Sequence, residues 1–136
     1  MSFDVYVQRF HAGSQSTFSR RHFDRIFAER LVARDTVHRC ITLGYPDGGG
    51  GDVYIDHCEE IGGFTVNRPG GTQLFDDLFQ LMRDVGAVLY WADASPCLVV
   101  ADPMIVTDLP SSMLTAIGPA TTVFSGSEII AAIRKS

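Results

Sequence analysis

Four side chains in the first half of the chain are of the types that hold metals or attack electrophiles: His38, Cys40, Asp56 and Cys58. They lie on or beside two short β-branched runs, 36–43 and 52–57, that flank the stretch Tyr45-Pro46-Asp47-Gly48-Gly49-Gly50-Gly51. A hairpin symmetric about Gly48 sets His38 opposite Cys58 and Cys40 opposite Asp56. Directly opposed β-carbons are roughly 4.5–5.5 Å apart. That register would gather two thiols, an imidazole and a carboxylate, which are zinc-ligand types and also include a thiol beside an imidazole. The spacing is not the close Cys-x-x-Cys or His-x-x-x-His of metal motifs, and cysteine is a common small buried residue. No metal, cofactor or catalytic residue is therefore assigned, and the cluster stands as the candidate to check.

The glycine run is not a phosphate cradle. A P-loop needs lysine and a hydroxyl residue after its last glycine and then a helix; here Asp52 follows, and then a strand. The run predicts a turn. A better anion site is Asn67-Arg68-Pro69-Gly70-Gly71-Thr72-Gln73, where glycines precede a helix whose first amides are free. Asn67, Arg68, Gly70, Gly71 and Thr72 are its candidate ligand-binding residues, with His57 or Tyr54 as possible neighbours. The plainer alternative is a strand-to-helix connection capped by Gly71 or Thr72.

The acids Asp47, Asp52, Asp56, Glu59 and Glu60 make one end of the predicted hairpin negative. Such an end is either a solvated loop or a docking point for a basic partner, for which Asp47, Asp52, Glu59 and Glu60 are the candidates. No Gly-x-Ser-x-Gly elbow occurs, and His11 and His22 are expected to be solvated.

A single domain, 1–136, must position these groups. The 136 residues suffice for one core without disulfides. Three widely spaced cysteines do not form a disulfide framework and fit a reducing cytoplasm. The start of the chain has an acid at position 4 and no basic region leading into an apolar stretch, so no secretory leader is expected. Apolar runs are far below the roughly 20 residues that span a bilayer, so no membrane helix is expected. A net charge of −5 disfavours nucleic acid and suits a basic or neutral protein partner.

Period-two alternation predicts a strand over 3–10. Phe23, Ile26, Phe27 and Leu31 predict a helix over 19–31 with Ser19 as its cap. Strands follow over 36–43, 52–57 and 63–67. The stripe Leu74, Phe75, Leu78, Met82 and Val85 predicts a helix over 72–85, ended by Gly86. Strands over 87–91 and 97–101 are expected as antiparallel neighbours. A short helix over 108–117, a strand over 121–124 and a last helix capped by Ser125, with Glu128 three residues on, complete the chain. The order β-α-β-β-β-α-β-β-α-β-α predicts an α+β fold: a mixed, mostly antiparallel sheet covered by helices.

The segments SFDVYVQRF, YPDGGGGDVYID, GGFTVNRPGG and VLYW with PCLVVAD together resemble a group of small, uncharacterised bacterial α+β proteins. Some small acidic bacterial α+β proteins of this general kind resemble immunity proteins, which bind and neutralise a toxin in the cytoplasm. The group has no established activity to carry over; by analogy of class alone the expectation is a cytoplasmic protein-binding module, and the alternative is a small enzyme or anion-binding domain using the helix start at Thr72.

Overall fold

The computed structural model describes residues 3–136. Its first strand, β1 (Asp4–His11), buries Val5 and Val7 and turns Asp4, Tyr6 and Gln8 to the opposite face, as the alternation predicts. β2 (Ser14–Ser16) folds back on it, and β3 (Phe18–Ser19) leads into α1 (Arg20–Phe27), whose first turn is capped by the Ser19 hydroxyl. A 3-10 turn (Ala28–Arg30) follows, then β4 (Leu31–Asp35), β5 (Cys40–Gly44), β6 (Gly50–Tyr54), β7 (Glu60–Ile61) and β8 (Gly63–Gly70). α2 (Thr72–Val85) ends at Gly86, which is left-handed at φ 72° and returns its N–H to the Met82 carbonyl. β9 (Ala87–Trp91) and β10 (Leu98–Val100) are antiparallel. A 3-10 segment (Pro103–Asp108), α3 (Ser111–Ile117), β11 (Thr121–Thr122) and α4 (Gly126–Lys135) close the chain.

The main sheet runs β11-β10-β9-β1-β8-β6-β5-β4, with β2 beside β1; every pairing is antiparallel except β10 with β11. The fold is α+β. One sheet face is sealed: Phe23 and Phe27 of α1, Leu74, Leu78 and Leu81 of α2 and Ile129 of α4 pack over Val5, Val7, Val53, Val66 and Leu89. On the other face only the β9–β10 end is covered, where Leu109 and residues of α3 pack on Val88, Leu98 and Val100. Across β1, β8, β6 and β5 that second face carries half-buried or exposed polar and aromatic side chains. No helix among the described residues is long and apolar enough to cross a membrane.

The structure corrects several element boundaries. The first helix stops at Phe27, and Leu31 opens the edge strand β4 instead of closing the helix, because it pairs with Leu43. Residues 36–39 are a turn, not strand: the Asp35 carboxylate accepts from His38 N at 3.1 Å, and Arg39 is left-handed at φ 53°. Val37, within the expected strand 36–43, is 84% exposed at that turn. The helix expected over 108–117 begins only at Ser111, since the residue before Pro110 is driven out of helical conformation. β2, β3, β4 and β7 are additions to the expected order; three of them are only two or three residues long, below what alternation reveals.

Candidate functional site

The expected thiol and imidazole cluster does not assemble. β5 pairs with β6 two residues out of the expected register, so Cys40 faces Tyr54, Ile41 faces Val53 and Thr42 faces Asp52. Shifting by two keeps the valines and isoleucine inward, which is why the hydrophobic pattern could not choose between the registers. His38 sits in the turn with its ring nitrogen 2.7 Å from Asp35 Oδ2, Asp56 accepts from Arg39 Nη1 at 2.9 Å, and Cys58 is exposed. Among the described residues no group of three or more His, Cys, Asp and Glu is placed to hold a metal ion. Burial pushes the Cys40 thiol up from its ordinary value, away from the thiolate a nucleophile needs.

The two glycine stretches prove to be two halves of one structure. Asp47, in the loop between β5 and β6, accepts from Gly49 N at 2.8 Å through Oδ1 and from Gln73 N, in the first turn of α2, at 3.0 Å through Oδ2. Its own amide donates to Gln73 Oε1 at 3.3 Å. The anion that the helix start attracts is thus a carboxylate of the same chain. The Gln73 and Gly49 amides hold its pKa below the usual carboxylate value. Only glycine fits here: a β-carbon on Gly49 would lie 2.3 Å from the Gly70 carbonyl, and Gly71 has φ 80° against the same loop. The loop is further pinned by Tyr45, whose hydroxyl donates to Asp77 Oδ2 at 2.8 Å while the Arg30 guanidinium lies 4.9 Å over its ring. Burial first, and then Asp77, raise the Tyr45 phenol well above its ordinary pKa.

The candidate ligand residues separate accordingly. Gly70, Gly71 and Thr72 border a mostly apolar hollow of about 290 Å³ with Phe75, Ile130 and Arg134. Asn67 and Arg68 belong elsewhere: Arg68, left-handed at φ 52°, donates from Nε to Asn67 Oδ1 at 3.2 Å on the open face of the sheet. Nor do the acids share one end. Asp47 precedes β6, Asp52 lies within it, and Glu59 and Glu60 follow its far end, where the Glu59 carbonyl accepts from Arg20 N and Glu60 Oε1 from the Thr17 hydroxyl.

What the sheet does bring together is a square of polar and aromatic residues that spacing alone did not reveal. Asp4 pairs with Asn67, and Asn67 with Asp52; two positions along, Tyr6 pairs with Thr65, and Thr65 with Tyr54. β1 and β6 both run antiparallel to β8, so they are parallel to each other, and each carries Asp-Val-Tyr: Asp4-Val5-Tyr6 and Asp52-Val53-Tyr54. Both valines are fully buried in the core beneath, which turns both acids and both tyrosines to the open face. The signal was present in the sequence as a repeated tripeptide separated by almost 50 residues; only the pairing makes the copies flank one strand.

The row of rings extends further. Tyr90 stacks on Tyr6 with centroids 5.2 Å apart, and its hydroxyl donates to Gln8 Oε1 at 2.9 Å. On the far side Tyr54 leans to Cys40, whose thiol is the main cause of the raised pKa of the Tyr54 phenol. With Tyr6 drawn to one neighbour and Tyr54 to another, a groove of about 410 Å³ opens between them over Thr65 and Gly63, with Gln15, Arg39 and Asp56 at its rim. Asp52 and Asp4 lie outside this groove, further along the same strands: Asp52 Oδ1 accepts from the Thr42 hydroxyl at 2.9 Å, whereas Asp4 Oδ1 is closed off from water and has no donor among the described residues. No protein-family model matches the chain, and neither a curated protein nor a solved structure matches it.

Proposed function

We propose that the chain is a cytoplasmic protein-binding module that takes its partner on the open face of the sheet and acts, as an immunity protein does, by masking a toxin. The observation that carries this is the uncovered row Tyr6-Thr65-Tyr54, flanked by the half-buried Tyr90, with Tyr54 46% exposed. Tyrosine on a rigid sheet supplies large contact area at small entropic cost and is enriched at the centres of interfaces. The helix start required for the anion-binding alternative already holds the Asp47 carboxylate. Net charge of −5 favours a basic partner by steering its approach.

The test is co-expression with the product of the gene adjacent to its own. Protection from a toxic neighbour by the wild type, lost in Tyr54→Arg while the variant stays folded, supports the proposal. Protection that survives Tyr54→Arg moves the interface off this face, and a neighbour that neither harms the cell nor binds the chain removes the immunity role.

A further inference from the structure

We infer that the edge strand β4 takes an extended segment of a partner as an added antiparallel strand, with an acidic residue opposite Arg34 and an aliphatic one two positions later. β4 ends the sheet, all five of its residues are exposed, and Val32 is 69% exposed. The alternation of ladder bonds shows which of its main-chain groups are unused. Ile55 N donates to the Arg39 carbonyl at 3.1 Å and Tyr45 N to the Gly49 carbonyl at 3.0 Å, so Ile41 and Leu43 between them also aim their main-chain groups at β6. Cys40 and Thr42 therefore aim theirs at Asp35 and Ala33, and Arg34 turns its N–H and C=O away from the sheet. β5 separates this edge from the strands that carry the rings, so the contact is a second one, beyond the open face.

Side chains choose the occupant. Arg34 pairs with Ile41, whose side chain is in the core, so a residue added opposite Arg34, and the one two positions along, face the layer of α1. There a hollow of about 210 Å³ lies between β4 and α1, lined by Phe27, Leu31 and Ile41, with Arg20, Asp24 and Arg34 at its rim. Arg20 lies 3.6 Å from Asp24, whereas Arg34 has no ion-pair partner within 4.0 Å among the described residues. A carboxylate directly opposite supplies one. In an antiparallel strand the residue two positions after that acid lies towards Leu31, where an aliphatic side chain reaches the hollow. The unpaired charge here is positive although the chain carries −5 overall, so local and not net charge selects the segment. A second copy of the chain fits less well. A two-fold axis at Arg34 would oppose two guanidiniums, and one at Asp35 would oppose two carboxylates. An axis at Ala33 needs the main-chain groups of Val32, where the ladder is bulged.

The test uses the capped heptapeptide Thr-Thr-Glu-Thr-Leu-Thr-Thr, followed by the NMR amide signals of the protein. Saturable shifts are expected at Arg34 and Leu31. Binding should weaken by roughly two- to five-fold when lysine replaces the glutamate, or in Arg34→Glu, and should return when the lysine peptide meets Arg34→Glu. Serine in place of the leucine should weaken it more strongly. N-methylation of the glutamate, whose amide would face β4, should cost roughly five- to ten-fold. N-methylation of the threonine after it, whose amide would face water, should leave binding unchanged. Absence of saturable shifts at Arg34, equal effects of the two N-methyl groups, indifference to the leucine, or no rescue by charge reversal overturns the inference. Sedimentation is run alongside; a dimer that Val32→Lys dissociates would give the edge to a second copy and equally overturn it. Shifts confined to Tyr6 and Tyr54 would place the peptide on the open face and have the same meaning.

Discussion

Two parts of this molecule present aspartates beside glycine or tyrosine, and they differ in where the carboxylates find their donors. Asp47 is answered within the chain, by two backbone amides from its own loop and from α2. Asp4 and Asp52 stand on the open face, where one carboxylate oxygen has a hydroxyl donor and another has none among the described residues. An acid whose donors are main-chain groups belongs to the scaffold. Asp4 and Asp52 have no such main-chain donors among the described residues. The comparison teaches that acidity by itself, which the sequence displays at both places, does not show which carboxylates hold the scaffold together; donor supply does.

The largest expected effect tests whether the two sides of one strand are as different as this picture requires. Val53 is fully buried, while its neighbour Tyr54 is 46% exposed. Val53→Asp buries a charge without a partner and should cost about 3–5 kcal/mol, enough to unfold a marginal domain. Tyr54→Arg, one residue on, should leave urea unfolding close to wild type. Similar midpoints for the two variants would mean that the core and open faces have been assigned wrongly.

How far the sequence reached follows the same division. The sealed face was legible because its signals are local and redundant: the stripe of α2, the Gly86 cap, the Ser125 cap and the alternation of β1 each fall within one element. The open face depends on register, and register between β5 and β6 was ambiguous because a two-residue shift leaves Ile41 and Val53 buried either way. The Asp47 contact joins residues 26 positions apart through a loop packed on a helix start, which no local pattern encodes. So the glycine stretches were correctly read as a turn and a helix entry, but their union was not visible. The Asp-Val-Tyr pair was visible as letters and acquires meaning only once both copies are seen to border β8.

Next in size is the backbone of the clasp. Gly71 combines φ 80° with ψ 161°, a region open essentially to glycine, and a β-carbon there would lie 2.8 Å from both Asp47 Oδ1 and Gly49 Cα. Gly71→Ala should therefore destabilise by roughly 1–3 kcal/mol. Chemical denaturation measures it, and a loss below a few tenths would show that the loop is not held against the helix.

Asp47 then gives a pH signature. Its folded-state pKa is depressed by the Gln73 and Gly49 amides, so its contribution to stability is present above the unfolded value of about 3.9 and is lost as pH falls through the folded value. Wild type and Asp47→Asn should differ in melting temperature at neutral pH and converge in acid, below about pH 4. A difference that persists unchanged to pH 2 would place the effect of the substitution elsewhere than in the carboxylate. Asp35, lowered by His38, titrates in the same range, so the comparison must be made between variants and not on wild type alone.

The smallest expected effect decides between the two kinds of aspartate most directly. Asp52→Asn retains an acceptor for the Thr42 hydroxyl and removes a charge from a face that already holds Asp4 across Asn67. Its stability should change by no more than about 0.5 kcal/mol in either direction. Relief of repulsion between like charges would make it slightly stabilising at low ionic strength, with the gain fading as salt screens the pair. A scaffold role predicts the contrary pattern, a loss resembling that of Asp47→Asn. If thermal melts at low and high salt show such a loss, Asp52 holds the sheet together through Thr42 and joins Asp47 as a scaffold acid.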